Sequence, residues 1–198
     1  MKLNILVVGV GGQGALTTAY LIARAALRAG LNVITAETHG MAQRGGGVEV
    51  HVRIGDVKSP LIPDCSADIV LALEPVEALR FAKFINENTT VILNSRKIIP
   101  PSVTSGLASY PELDEIVGEI RKISKNVLVV PASEIAEKAG DLLMTNVVIV
   151  GIMLSVVKLP FSLEHVEETI KEVMSKPELN LKALKMGYEF RSAQLSAK

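Results

Sequence analysis

Short apolar runs alternate along the chain with longer segments in which apolar residues recur at helical spacing. Strands are predicted at 3–8, 31–37, 48–54, 68–74, 90–94 and 126–130. Helices are predicted at 15–29, 75–86, 112–124, 133–140, 142–159, 162–175 and 178–195. Because strands and helices alternate, we expect an α/β fold with a doubly wound, mostly parallel, Rossmann-like sheet.

One predicted strand, at 48–54, alternates strictly between apolar and polar residues. Its polar residues are Glu49, His51 and Arg53, which indicates a half-exposed strand near a sheet edge or a partner surface. His51 is accordingly expected at the surface or at an interface. A glycine turn and an extended return over 57–62 follow this strand, and the two segments together predict a β-hairpin.

The C-terminal part of the chain is predicted to be helical. The segment 142–159 is apolar but is interrupted by polar residues, so we expect a buried core helix rather than a membrane span. The helices from residue 162 onward are expected to form a C-terminal helical appendix, with 178–195 facing solvent. No linker divides the chain, and residues 1–198 are expected to form one domain. Neither a targeting segment nor a membrane span is evident, so we expect a cytoplasmic protein.

Charge and cysteine content exclude several classes of function. The formal net charge is zero, because 21 lysines and arginines balance 21 aspartates and glutamates. Proteins that bind nucleic acid or anionic membranes usually carry a basic excess, so neither partner is expected. Cys65 is the only cysteine, which excludes a four-cysteine zinc site or an iron–sulfur cluster ligated by this chain alone. No two histidines have metal-ligand spacing, and we expect no metal site.

The first candidate site is a glycine-rich loop between the first strand and the first helix. Its residues are Gly9, Gly11, Gly12, Gln13 and Gly14. Glycines in this position allow a tight turn and leave a helix N-terminus open to an anion. One reading is a dinucleotide site, in which Glu37 at the end of the second strand would bind the ribose. The other reading is close strand–helix packing and a backbone contact with another chain, and the motif does not separate the two.

The second candidate site is the polar loop that follows the second predicted strand. Its candidate residues are Glu37, His39, Gly40, Met41, Gln43, Arg44, Gly45 and Gly46. Its glycines allow the backbone to approach a ligand or a partner closely, and a guanidinium suits a carboxylate or a phosphate. In one reading the polar side chains therefore point into a shared cleft. In the other they cap helix ends and satisfy backbone groups. Loops at the carboxyl ends of strands lie on one rim of an α/β sheet, so we expect the two candidate loops to meet there.

Four motifs together resemble the 2-oxoacid:ferredoxin oxidoreductases. They are the glycine loop, the Glu-Thr-His-Gly-Met-Ala-Gln-Arg-Gly-Gly stretch at 37–46, Ser-Pro-Leu-Ile-Pro at 59–63 and Leu-Ala-Leu-Glu-Pro at 71–75. Within that family the chain is most similar to the small β subunits of the indolepyruvate enzymes, which are equivalent to the γ subunits or γ domains of the pyruvate and 2-oxoglutarate enzymes. The His-Gly-Met context distinguishes the indolepyruvate type.

The resemblance implies oxidative decarboxylation of aryl pyruvates with coenzyme A to give an aryl-acetyl-CoA, carbon dioxide and reduced ferredoxin. In such complexes thiamine diphosphate with magnesium supplies the electron sink, and [4Fe–4S] clusters carry electrons to ferredoxin. The alternatives are a γ subunit of a pyruvate or 2-oxoglutarate enzyme, and an independent Rossmann-type oxidoreductase that binds NAD(P) or FAD.

This chain has no residues for either kind of redox chemistry. A thiamine diphosphate site requires a Gly-Asp-Gly motif, whereas the two Gly-Asp pairs here continue with Val57 and Leu142. With one cysteine the chain also cannot ligate the clusters. It is therefore expected to bind no cofactor alone, to be inactive in isolation, and to work with a larger α subunit through which ferredoxin is reached. The glycine loop would then face the partner or the substrate channel.

Overall fold

The computed structural model describes residues 1–39 and 46–195. The described strands form a six-stranded sheet in the order β2-β3-β1-β4-β5-β6. The strands are β1 (Lys2–Val10), β2 (Val33–His39), β3 (Gly47–Gly55), β4 (Ile69–Ala72), β5 (Thr90–Asn94) and β6 (Val127–Val130). The parallel pairs β1–β4, β4–β5 and β5–β6 confirm the expected α/β fold with a mostly parallel sheet.

Helices cover both faces of this sheet. The α-helices are α1 (Ala15–Arg28), α2 (Pro75–Arg80), α3 (Pro101–Thr104), α4 (Leu113–Arg121), α5 (Ala132–Ala139), α6 (Thr145–Val156), α7 (Leu163–Val173) and α8 (Pro177–Leu195). Short 3-10 turns occur at Ala82–Phe84 and Leu142–Met144. Helices α1 and α5–α8 pack on one face of the sheet, while α2 and α4 pack on the other. Strand β1 is therefore buried on both sides, which explains its continuous apolar run.

The position predicted for β3 is wrong. It lies inside the sheet, antiparallel to β2 on one side and to β1 on the other, and β2 forms the edge. The β-hairpin therefore consists of β2 and β3, and residues 57–62 form no strand. His51 is 1% exposed and Arg53 3% exposed, so His51 is not at the surface. An alternating pattern shows that two faces differ, but it does not show that the polar face meets water.

The polar face of β3 is buried because the segment 59–62 covers it and supplies hydrogen-bond partners. Nη1 of Arg53 donates to the carbonyl oxygens of Ser59 and Leu61, at 2.8 and 2.9 Å. Nε of Arg53 donates to Oδ1 of Asn4 at 3.0 Å. Nδ1 of His51 accepts from the backbone N–H of Ile62 at 3.2 Å. The Ser-Pro-Leu-Ile-Pro motif is thus held against the sheet by side chains rather than by strand pairing.

The C-terminal helices are present as expected, but α8 does not face solvent along its whole length. Helix α6 is the predicted buried helix, and α8 crosses it at close range. A Cβ atom on Gly151 would lie 2.3 Å from the carbonyl oxygen of Leu184, and one on Gly187 would lie 2.3 Å from that of Val148. The two glycines therefore let the helix backbones touch. Within the described residues, no helix is long and apolar enough to cross a membrane.

Candidate functional site

A cleft of about 820 Å³ opens at the carboxyl edge of the parallel strands. The glycine loop forms one wall, and Leu73 and Arg96, which follow β4 and β5, form another. Ser133 and Asn146, at the starts of α5 and α6, contribute polar groups, and Lys176 closes the cleft from the turn between α7 and α8. Ligands of open α/β sheets bind outside the carboxyl ends of strands, so this position makes the cleft the candidate site.

The glycines of the first loop serve different purposes. A Cβ atom on Gly9 would lie 3.0 Å from Oε1 of Gln13 and 3.1 Å from Cβ of Leu73, so this glycine allows close packing. Gly12 and Gly14 have φ angles of +99° and +82°, which glycine adopts without strain. At Gly12 a Cβ atom would meet nothing within 4 Å, so this glycine borders open space.

The side chain of Gln13 makes two hydrogen bonds that hold the glycine loop in place. Its Oε1 accepts from the backbone N–H of Val10 at 2.7 Å, and its Nε2 donates to the carbonyl oxygen of Leu73 at 3.0 Å. The same carbonyl accepts from Nδ2 of Asn94 at 3.1 Å. Asn94 also donates to Oγ of Ser133 at 2.9 Å, so the side-chain amides of Gln13 and Asn94 join the ends of β1, β4 and β5 to α5.

Hydrogen-bond donors converge where α1 begins. This helix has no side-chain cap on the amides of its first turn, and Gly14 and Thr17 at its start line the cleft. Asn146 is 6% exposed, and its Oδ1 accepts from the N–H of Val147 at 2.9 Å. Its Nδ2 lies 3.1 Å from where a Cβ on Gly14 would stand, which places this donor beside the helix end. The arrangement suits an anionic group.

Two basic residues lie at the cleft. Nη1 of Arg96 pairs with Oε1 of Glu137 at 2.8 Å on the exposed side. Lys176 has a φ angle of +56°, a left-handed conformation that costs about 1 kcal/mol for a residue other than glycine. Nδ2 of Asn180 holds it there by donating to the carbonyl oxygens of Ser175 and Lys176, at 2.9 and 3.1 Å.

The two candidate loops meet at this rim, as expected. The backbone N–H of Gly11 donates to the carbonyl oxygen of Gly46 at 3.1 Å, and Val10 pairs with Gly47 in the sheet. The rest of the second loop is only partly described. Its residues Gly40, Met41, Gln43, Arg44 and Gly45 lie outside the described residues.

Glu37 and His39 do not adjoin the glycine loop. Both belong to the edge strand β2, which is separated from β1 by β3. In the register of the sheet, Glu37 pairs with Val50, which in turn pairs with Val7. Since neighbouring strands lie about 4.8 Å apart, Glu37 is about 10 Å from β1. A dinucleotide fold places its ribose acid on the strand next to the glycine loop, so this sheet order argues against that reading.

Buried carboxylates lie near the second loop on the face covered by α2. Glu77 is 4% exposed, and burial raises the pKa of its carboxyl group, although Nε of Arg80, 3.1 Å from its Oε1, opposes this shift. Its Oε2 occupies the space that a Cβ on Gly47 would need, which explains the glycine there. Burial also lowers the pKa of His51, although the carboxylate of Glu49 opposes this shift.

The sequence analysis did not single out Asn146 and Lys176, which line the cleft, or Asn94, which is buried behind it and bonds Leu73 and Ser133. Helix α5 begins at Ala132, one residue before its predicted start at 133, with Pro131 as its N-cap, and the side chain of Ser133 bonds Asn94. The sequence did contain a signal for the two asparagines, because Asn94 and Asn146 are isolated polar residues in otherwise apolar segments. Among the described residues, no group of three or more His, Cys, Asp or Glu side chains is arranged to hold a metal ion.

The sequence is similar to known subunits along nearly its whole length. It is 70% identical over 190 residues to the indolepyruvate oxidoreductase subunit IorB of Archaeoglobus fulgidus, covering 95% of this chain and 94% of that protein. It is 40% identical over 199 residues to the subunit of the same name from Pyrococcus horikoshii, covering 98% of each chain.

Solved structures share the fold at low sequence identity. The γ subunit of a keto/oxoacid ferredoxin oxidoreductase from Geobacter sulfurreducens has a TM-score of 0.74 at 22% identity, with 98% of each chain covered. The 2-oxoglutarate:ferredoxin oxidoreductase of Magnetococcus marinus, solved with 2-oxoglutarate, coenzyme A and succinyl-CoA bound, has a TM-score of 0.72 at 23% identity. The similarity covers 97% of this chain and 31% of that one. Residues 4–190 match the family model described as pyruvate ferredoxin/flavodoxin oxidoreductase, and this chain belongs to that family.

Proposed function

We propose that this chain is the accessory subunit of an indolepyruvate:ferredoxin oxidoreductase. The whole enzyme would oxidatively decarboxylate indolepyruvate and other aryl pyruvates to aryl-acetyl-CoA and carbon dioxide, and pass the electrons to ferredoxin. The observation that carries this proposal is the 70% identity, over nearly the full length of both chains, with a subunit of that name. We place the complex in the cytoplasm. Proteins of that reducing compartment rarely contain disulfides, and a chain with a single cysteine cannot form an internal one.

The cofactors of such a complex do not fit this chain. Cys65 is a single exposed thiol, and one thiolate cannot hold a [4Fe–4S] cluster. The described residues offer no cluster of acidic side chains for the magnesium of thiamine diphosphate. We therefore assign thiamine diphosphate, magnesium, the clusters and the contact with ferredoxin to a larger α subunit. The present chain contributes binding surface to the shared site.

The cleft has a polar floor and an apolar rim. Asn146 and Ser133 lie on the floor, whereas Leu143 and Ile98 border the opening and are 78% and 36% exposed. Leu16, in the first turn of α1, is 44% exposed. Exposed apolar residues around a binding cleft are typical of a surface that a partner protein covers. The rim supports docking of the α subunit over the cleft.

The donors on the floor support a role in binding the co-substrate. Coenzyme A carries phosphate groups, and these match the amides of α1, Nδ2 of Asn146 and the basic side chains of Arg96 and Lys176. The related Magnetococcus enzyme was solved with coenzyme A bound. We propose that the anionic part of coenzyme A enters this cleft while its thiol reaches the partner's thiamine diphosphate.

Purification from the native source tests the assignment. We expect the chain to co-purify with a larger, cysteine-rich, iron-containing chain, and the complex to reduce ferredoxin with indolepyruvate only when coenzyme A is present. The isolated chain should be inactive. Decarboxylation by the isolated chain, or its submicromolar binding of NAD(P)H measured by fluorescence, would overturn the proposal. A preference for pyruvate or 2-oxoglutarate would instead support the other γ-type enzymes.

A matched pair of variants tests the docking surface. Leu143→Glu places a charge on the apolar rim, and it should weaken assembly with the α subunit by about tenfold or more because the charge must be desolvated. Leu27→Glu is the control, since Leu27 is 50% exposed at the opposite end of α1. Equal assembly of both variants, measured by size-exclusion chromatography, would show that the rim is not the interface.

A further inference from the structure

We propose that Glu74 is a positioning residue that fixes the Arg96–Ile98 wall of the cleft and thereby sets the affinity for coenzyme A. This inference rests on the proposed function. Glu74 follows Leu73, which lines the cleft, and Ile98 lines it as well. Glu74 itself is 1% exposed and does not line the cleft. It acts on the ligand only through the groups that it holds.

The carboxylate of Glu74 accepts hydrogen bonds from three separate parts of the chain. Its Oε2 accepts from the backbone N–H of Glu77 at 3.2 Å and caps α2. Its Oε1 accepts from the backbone N–H of Ile98 at 3.2 Å and, at short range, from the phenol of Tyr110. Burial, together with this hydrogen bond, raises the pKa of Tyr110, so its phenol remains a donor. The carboxylate thus joins α2, the segment after β5 and the segment before α4.

A carboxylate suits this position better than an amide does. The two N–H groups of Glu77 and Ile98 can only donate, and they approach different oxygens of Glu74. Glutamine has one acceptor atom, so one of these backbone donors would face an NH₂ group. Burying a carboxylate without a paired cation is costly, which sets Glu74 apart from the exposed acids of the surface. Glu112, for example, pairs with Lys97 in solvent.

Leu73 and Glu74 together connect both walls of the cleft. The carbonyl oxygen of Leu73 holds Gln13 of the glycine loop, while the side chain of Glu74 holds Ile98. Arg96 lies two residues before Ile98 and lines the same cleft. Loss of the bond to Ile98 therefore frees the wall that carries Arg96, while the glycine loop keeps its own support. The affinity for an anion should fall without loss of the fold.

Glu74→Gln in the assembled oxidoreductase tests the inference. We expect the KM for coenzyme A to rise by about tenfold, with the KM for indolepyruvate and kcat changed by less than about twofold. Hydrogen–deuterium exchange of peptides containing Ile98 should become faster. Glu119→Gln is the matched control, because it makes the same substitution at an exposed carboxylate paired with Lys122. It should change none of these quantities.

Tyr110→Phe provides a second variant if Glu74→Gln does not assemble. This variant removes the phenol that donates to Glu74 but keeps the hydrogen bonds from the backbone N–H groups of Glu77 and Ile98. The KM for coenzyme A should therefore rise by only about two- to threefold. The inference would be overturned if both variants kept the wild-type KM for coenzyme A and the wild-type rate of hydrogen–deuterium exchange at Ile98. It would also be overturned if the KM for indolepyruvate rose as much as the KM for coenzyme A. A wild-type complex that does not oxidise aryl pyruvates would refute the proposed function instead, and exchange at Ile98 would still report on Glu74.

Discussion

Gly187→Ala separates a sequence-based expectation from a structure-based one by the sign of its effect. If α8 faced solvent at this position, alanine would stabilise the helix by about 1 kcal/mol, because glycine is a poor helix former. In the structure Gly187 is buried against α6, and a Cβ atom there would lie 2.3 Å from the carbonyl oxygen of Val148. We therefore expect destabilisation.

The magnitude follows from the contact with α6. An ordinary carbon–oxygen contact is at least about 3.4 Å, so the two helices must separate by about 1 Å. Overpacking of this kind costs about 1–3 kcal/mol, and the upper end applies because a backbone carbonyl cannot rotate away. After subtraction of the gain in helix propensity, the net loss should be about 2 kcal/mol. For a chain of this length that corresponds to about 4–8 °C in Tm.

Chemical denaturation followed by far-UV circular dichroism measures this loss, since the chain has no tryptophan for fluorescence. Gly118→Ala is the matched control. Gly118 lies within α4, and a Cβ atom there meets nothing within 4 Å, so alanine should stabilise by about 0.5–1 kcal/mol. If Gly187→Ala were as stable as the wild type or more so, the close packing of α6 and α8 would be refuted.

The remaining predictions concern two buried titratable groups. Burial, with contributions from Lys83 and Arg53, lowers the pKa of His51 below its unfolded value of about 6.5, against the opposing carboxylate of Glu49. The wild type should therefore lose stability as the pH falls from about 6.5, whereas His51→Asn, which keeps an acceptor for Ile62, should not, as judged by Tm against pH. The pKa of Glu77 is raised above its unfolded value of about 4.5, so its ionisation destabilises the fold as the pH rises from that value through the folded pKa. Glu77→Gln should raise Tm at about pH 7 but not at about pH 4, and an equal effect at both would contradict the burial argument.

Local pattern was enough to predict most elements of the sheet and the buried helix. The apolar runs at β1, β4 and β5 and the helical spacing that predicted α7 depend on neighbouring residues in the chain. The glycine loop between β1 and α1 was recognised in the same way. Its meeting with the second loop followed from the general rule that such loops share the carboxyl rim of the sheet.

The sequence by itself determined the α/β class and most of the succession of strands and helices, and its single cysteine excluded an iron–sulfur cluster ligated by this chain alone. Only the tertiary structure decided that β3 lies inside the sheet, that Arg53 and His51 are buried under the segment 59–62, and that Gly187 touches α6. The physical reason is the range of the interactions. Helix and strand periodicity arises between residues a few positions apart, whereas the burial of a polar or glycine position depends on partners from distant parts of the chain.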